Sequence, residues 1–325
     1  MKESLINVPV ALVFFNRDDT LKDVFERVRQ ARPSKLFLIQ DGARENRQDD
    51  IDGIAACRKV VENVDWECEV YRNYSEKNLG CGRRVSSGIT WAFEQVDRLV
   101  ILEDDCIIEP TFINFCDELL EKYKDDERVY MISALNHFGE WDCGDNSYFF
   151  SKAGAIAAWA TWKRVWDSYD FNVTAISDDY VKKVIRESYR CKRYADKSIK
   201  IWQDVYNLGK NGEKIKFWGP QFGFLGHSTT AVSIIPSHSL SNNVGVNAKA
   251  TFSGSGVEFM NKSIRGWFFQ KTRPMEFPLK HPKAILPDEE YDDKYYRITF
   301  PHPFTSFCSK VFYFCKRKVY LLFKR

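Results

Sequence analysis

The densest chemistry in the chain is the run Glu103-Asp104-Asp105, preceded by the apolar residues Leu99 to Leu102. Four apolar residues are too few for a helix and read as a strand buried on both faces. After the acids, Pro110 and Thr111 open a patterned helix, Phe112 to Tyr123. Ligands of open parallel sheets gather outside the carboxyl ends of the strands. Three carboxylates there repel one another unless a cation or hydrogen-bond donors offset them. A hard divalent ion carrying substrate phosphates is a common solution, held by one or two protein carboxylates. The plainer alternative is a solvated acidic turn.

Other polar groups fall at comparable places. Asn16-Arg17 follows the first apolar run, Asp41 ends the second, and Asn78, Gly80 and Arg83 lie where a later helix begins. Mixed acids, cations and a helix N-terminus suit a nucleoside diphosphate, with acids for base and ribose donors and cations for phosphates. Each residue taken singly is equally a surface ion pair or turn residue, and Arg84, Asp18 and Asp19 are read that way. No Gly-x-Gly-x-x-Gly follows the first strand and there is no Walker loop, so neither nucleotide fingerprint is present.

The elements that must position these groups alternate. Val8 to Phe15 is a strand, and the next helix places Leu21, Val24, Phe25 and Val28 on one face, with Asp19 or Thr20 as its cap. Lys35 to Asp41 is a second strand, Ile51 to Val61 a helix and Cys68 to Arg72 a third strand. A helix from Val85 to Glu94 then delivers the acidic strand. This order predicts an α/β fold, a Rossmann-like, mostly parallel sheet flanked by helices with right-handed crossovers. Val129 to Ser133 and Tyr148 to Lys152 read as further strands, and Ala158 to Trp166 as a tryptophan-rich helix start with most of its indoles in the core.

At 325 residues, 44% hydrophobic and 29% charged, the composition is that of an ordinary soluble enzyme, with a high aromatic share of 15%. The nine cysteines form no Cys-x-x-Cys pair, and with no signal peptide evident they are expected as reduced thiols in the cytoplasm. From Phe304 onward the chain carries six basic residues and no acid, so against a total of +3 the body is −3. An acidic body argues against nucleic-acid binding. In residues 304–325, Phe304, Phe307, Val311, Phe314, Leu321 and Leu322 can share one helical face, while Lys310, Arg317 and Lys324 recur on another. Such a basic amphipathic helix fits an anionic membrane surface; packing on its own domain is the alternative.

Phe15-Asn16-Arg17, Gln40-Asp41-Gly42, Glu76 to Gly82 and Ile101 to Cys106 together resemble one family. It is the bacterial nucleotide-sugar glycosyltransferases of the GT-A fold, the family-2-like or haemolysin-like group. These are similar in turn to the eukaryotic N-acetylglucosaminyltransferase that initiates complex N-glycans. The match runs through Trp159 to Arg164 and Ser233 to Pro236 as far as Ser241 to Gly245, covering residues 8 to about 250. The resemblance implies that Asp41 binds the base, uracil in a UDP-linked donor, and that Glu103 and Asp104 orient base, ribose and sugar. Asp105 would ligate Mn2+ or Mg2+, and Arg17 and Arg83 would contact nucleotide and phosphates. Relatives invert the anomeric centre with an Asp or Glu as base on the acceptor hydroxyl.

Two family positions are changed. The expected base, seventeen residues before Pro236, is Gly219 here, and an expected His is replaced at Phe252. Asp204 is the nearest substitute base and His227 a weaker one, while His238 is a candidate replacement metal ligand. The plain reading of Asp204 is a solvated helix residue. Residues 1–250 are expected to form the transferase domain, with 1–105 as the nucleotide-sugar half and 106–250 as the acceptor half. Residues 251–303 form an extended wrap-around segment and 304–325 the tail. The expected function is transfer from a nucleotide-diphosphate sugar to a glycan or lipid-linked acceptor in surface polysaccharide assembly, at the inner face of the cytoplasmic membrane. The alternatives are a catalytically weak nucleotide-sugar-binding partner and a sugar-phosphate nucleotidyltransferase. The latter typically has a glycine-rich basic loop after its first strand, and Phe15-Asn16-Arg17-Asp18-Asp19 has no glycine.

Overall fold

The structure, a computed structural model, describes residues 2–245 and 262–302. In chain order the first half contains β1 (Val10–Phe14), α1 (Asp18–Ala31), β2 (Lys35–Gln40), α2 (Gln48–Val61), β3 (Glu69–Tyr74), α3 (Cys81–Phe93), β4 (Arg98–Glu103), β5 (Cys106–Ile108) and α4 (Thr111–Lys122). Then come β6 (Val129–Ser133), β7 (Tyr148–Ser151), β8 (Trp159–Trp162), α5 (Lys163–Trp166), α6 (Asp179–Ser188), α7 (Lys192–Lys210), α8 (Gly219–Ser228), β9 (Val232–Pro236) and β10 (Ser241–Asn243). The last two elements are a single turn, α9 (Lys262–Arg265), and α10 (Glu289–Thr299). Among the described residues no helix is long and apolar enough to cross a membrane.

The fold is α/β. Eight strands form one sheet in the order β3-β2-β1-β4-β8-β6-β9-β7. Strands β1 to β4 are parallel, as are β6 and β9, while β8 runs antiparallel between β4 and β6 and β7 antiparallel at the edge. Every residue of β1 is buried, as are Leu99 to Leu102 of β4, because helices cover both faces. The chain runs outward from β1 to β2 and β3, then returns to place β4 on the other side of β1. That reversal opens a crevice at the carboxyl ends of β1 and β4. A second, two-stranded antiparallel sheet pairs β5 with β10, matching Cys106 to Asn243 and Ile108 to Ser241.

Four local expectations are corrected. Helix α1 begins at Asp18, before both proposed caps; Arg17 stands at its cap position without a side-chain cap bond, and Asp18 and Asp19 favour the first-turn dipole instead. The tryptophan-rich stretch starts as a strand, because Trp159 to Trp162 fill the gap between β4 and β6 before the single turn α5. Its indoles are core as expected, with Trp159, Trp162 and Trp166 all buried. Arg84 is buried rather than superficial and donates to the Asn73 carbonyl and side chain, tying α3 to β3. The 251–303 segment, expected to be extended, contains the eleven-residue α10, capped by the Asp288 carboxylate accepting from the Glu290 and Tyr291 amides. The buried Tyr291 seats it against Phe149 of β7. The seven cysteines among the described residues are free thiols. Residues 304–325 and the substituted His position at 252 lie outside the described residues.

Candidate functional site

The crevice between β1 and β4 gathers the acidic run and Arg17. Pairing of Val13 with Glu103 sets the two strand ends level, so the chain leaving β1 meets the turn leaving β4. The Phe15 amide donates to Asp104 Oδ2 at 3.2 Å. Arg17 Nη2 donates both to Asp104 Oδ1 and, at 2.9 Å, to Asp105 Oδ2. Asp104 is buried and the Glu103 carboxyl accepts no hydrogen bond among the described residues. Burial pushes Glu103 up to about 8, and the charges of Asp105 and Asp104 add to the effect against Arg17. Burial likewise raises Asp104 to about 6, with Arg17 opposing. Burial works against the Arg17 charge, but Asp104 and Asp105 outweigh it and raise its pKa. The site therefore concentrates more negative charge than Arg17 alone relieves.

Beside the acids stands the start of α3. Gly80 occupies the cap position with φ +78°, a backbone conformation that glycine adopts without penalty, and no side chain caps the helix. The first-turn amides thus lack both a capping side chain and a first-turn acid. The Lys214 ammonium lies 3.1 Å from where a Gly80 Cβ would stand. Cys81, next in line, has its thiol pushed up to about 12 by burial, then by Glu103, Asp104, Asp105 and Asp41.

Asp41 has a structural role that the sequence concealed. Oδ1 accepts from the Gly42 and Leu79 amides at 3.0 and 2.9 Å, and Oδ2 from the Gly80 amide at 2.8 Å and Asn78 Nδ2 at 3.2 Å. Four donors fill the carboxylate, which fixes the loop entering α3; a base would have to compete for it. Asn78 also donates to the Gly42 carbonyl at 2.8 Å. Gly42 is needed because a Cβ there would lie 2.6 Å from the Lys77 carbonyl carbon.

Not every expected residue reaches the acids. Asn16 donates at 2.8 Å to Asp50, a fully buried acid of α2 that Arg44 also grips through Nε and Nη2. Asp50 was hidden in sequence among its acidic neighbours. Exposed Arg83 lies over the Phe171 ring at 4.4 Å. Asp204 is on the exposed side of α7, paired with Lys200 at 3.0 Å, which is its plain reading. His227 is half-buried between the Tyr189 and Tyr296 hydroxyls, and His238 lies beside Ser237 with its Nε2 unpartnered. Gly245 was also unsuspected: a Cβ there would collide with the Asp105 carboxylate, and the Val244 amide donates to the Asp105 carbonyl at 2.9 Å.

No family model matches this chain, and no curated protein does. Among solved structures, a UDP-glucose pyrophosphorylase complexed with UDP-glucose aligns at a TM-score of 0.35 and 10% identity, covering 71% of this chain and 91% of that one. A cytidylyltransferase from Leptospira borgpetersenii serovar Hardjo-bovis (strain JB197) aligns at 0.30 and 10% identity, covering 80% and 90%.

Proposed function

We propose that the chain is a transferase using a nucleotide-diphosphate sugar. More finely, we read it as an inverting glycosyltransferase with a UDP-linked donor and a glycan or lipid-linked acceptor in surface polysaccharide assembly. The observation that carries this reading is the Arg17–Asp104–Asp105 cluster at the β1/β4 crevice, beside the uncapped start of α3. The α3 amides and Lys214 would hold the diphosphate, while Glu103 and Asp104 would take hydroxyl donors of ribose and sugar. A peripheral place at the inner face of the cytoplasmic membrane rests on the sequence of 304–325 alone.

Mn2+ or Mg2+ fits the donor set. Crowded carboxylates with raised pKa values gain from a divalent cation, and Asp105 would hold it. An ion of this kind would be held by one or two carboxylates and by substrate phosphates. When bound, the ion supplies Lewis-acid stabilisation of the departing diphosphate.

One observation favours a second reading, sugar-phosphate nucleotidyl transfer. Position 219 is glycine and Asp204 is engaged at the surface, so neither supplies a base to a sugar hydroxyl. An attacking phosphate is already ionised and needs none. Against this, β1 runs through Asn16-Arg17 into α1 without a glycine turn. Calorimetry with UDP-, GDP- and dTDP-sugars, with and without manganese, tests the shared reading. Donor binding should require manganese and be lost in Asp105→Ala; absence of binding by any donor refutes it. Release of free nucleoside diphosphate identifies glycosyl transfer, whereas exchange of labelled pyrophosphate into nucleoside triphosphate identifies nucleotidyl transfer.

A further inference from the structure

A second cavity, of about 350 Å³, lies among β6, the turn after β7, α7, α8 and α10. Tyr130, Trp202, Phe222, Tyr295, Tyr296 and Phe300 form much of its wall. A narrower extension of about 50 Å³ shares Lys152, Tyr189, His227 and Tyr296 with it. The acids of the crevice line neither.

The lining includes both ends of the 152–156 segment that follows β7. One end is at Ile156 and Gly219, which touch so closely that a Gly219 Cβ would lie 2.5 Å from Ile156 Cδ1. That end belongs to the edge bearing the acids. Trp159, three residues on, pairs with Ile101 of β4, and Ser241 bonds the Ala157 carbonyl at 3.0 Å. Gly82 of α3 is equally tight against the Ile215 carbonyl, at 2.6 Å from a built Cβ, which joins the 215–219 segment to the crevice. The far end is at Lys152, next to Ser151, which pairs with Ser233 near the beginning of β9. The lining therefore runs from Lys152 to the Ile156–Gly219 contact, next to β8, the strand that pairs with β4.

We propose that this cleft binds the acceptor, and that the acceptor is an acidic saccharide whose rings lie on the aromatic walls and whose carboxylate or phosphate meets Lys152. This rests on the transferase reading above. The wall composition selects the class. Tyrosine and tryptophan give flat apolar faces with polar tips, which match sugar rings, whereas the aliphatic share is Met131, Ala153, Ile156, Ile201 and Pro220. The charges select the anion. Glu289 pairs with Arg190 at 3.5 Å, Asp293 with Arg297, and Asp292 accepts from the Ser151 hydroxyl and the Lys152 amide. His227 shares its Nε2 between Tyr189 and Tyr296, and is held neutral, down to about 4, by burial and then by the Lys152 charge. Among the described residues the Lys152 ammonium makes no ion pair within 4 Å; its charge acts on the Asp292 carboxylate and on His227 beside it, and it is the cleft's one cation without a direct acidic partner.

The test is calorimetry on the full chain with three probes: a glucuronate-containing tetrasaccharide, its carboxyl-reduced neutral form, and that neutral form carrying one phosphate. Lys152→Met keeps the stem and removes the charge. Gly223→Phe fills the cavity from α8, where a Cβ meets nothing within 4 Å. The wild type should bind at least one acidic probe, Lys152→Met should weaken it roughly tenfold or more, and Gly223→Phe should abolish binding of every probe. Which acidic probe binds distinguishes a uronate from a phosphate source. Equal affinity for the neutral and acidic probes, binding unaffected by either substitution, or no binding at all overturns the proposal. UDP-sugar binding, measured in the same samples, should be retained in both variants. Its absence from the wild type refutes the transferase reading while leaving the saccharide result to judge the cleft.

Discussion

Arg17 Nη2 lies 2.9 Å from Asp105 Oδ2, across 88 positions of sequence, and the same nitrogen donates to Asp104. One cation thus serves two acids on consecutive residues, with Glu103 beside them accepting no hydrogen bond among the described residues. The crevice is held together by attraction that is incomplete by at least one charge.

Removing that cation should be costly in a pH-dependent way. Arg17→Gln leaves Asp104 buried without its ion-pair partner, a loss of roughly 3 kcal/mol when the acid is charged. Because burial already holds Asp104 near 6, and loss of Arg17 raises it further, the acid takes up a proton on acidification and the penalty shrinks. Urea unfolding of wild type and variant at pH 8 and pH 5.5 should show the larger difference at pH 8. An equal difference at both would refute the account.

Asp41→Asn tests the loop anchor. The amide presents an NH2 group to two donors that the carboxylate accepted, so about 1–3 kcal/mol of stability should be lost. The α3 start should loosen with it. Hydrogen exchange at the Leu79 and Gly80 amides reads this directly: protection that survives the substitution would mean the carboxylate is dispensable.

The base question separates through two variants. Asp204→Asn should leave transfer unchanged, since the acid is paired with Lys200 at the surface. Gly219→Asp, if Ile156 Cδ1 moves aside, restores an acid where the resembling family has one, and should raise kcat with little change in donor affinity. A sharp fall in turnover of Asp204→Asn would reinstate Asp204.

Two histidines, the buried His137 and the half-buried His227, set the acid limit. Burial holds His137 down to about 3, and burial with the Lys152 charge holds His227 down to about 4. Below the ordinary value near 6.5 the unfolded chain binds protons that the folded chain refuses, so stability is lost as pH falls through that window. Each histidine contributes about 1.4 kcal/mol per pH unit there. His137→Gln should flatten the fall of the urea midpoint between pH 6.5 and 5; an unchanged slope would show that His137 titrates in the fold.

What could be read from sequence was what adjacent residues determine. The apolar run Leu99 to Leu102 announces a strand buried on both faces, and the acids at its end follow without any tertiary knowledge. Asp41 could be placed at a strand end, but its four donors come largely from residues 37 to 39 positions later, beyond any local pattern. Trp159, Trp162 and Trp166 are spaced as on a helix face, yet the vacancy between β4 and β6 made the first two a strand. Arg84 reads as a surface cation because its Asn73 partners lie on β3. Asp204 reads in sequence as a substitute base, with a solvated helix residue as the alternative, and the structure pairs it with Lys200 four residues away on its own helix.

The pairing of β5 with β10 has a consequence for how the chain folds. Cys106 to Ile108 find their partners only at Ser241 to Asn243, and Gly245 closes onto Asp105 just after them. A chain emerging from the ribosome carries all three acids long before the strand that braces their turn. Such distant pairing is slow to form. A fragment ending before residue 241 should collapse around the parallel strands and still lack a set crevice, which makes the assembled acid turn a late marker of maturation.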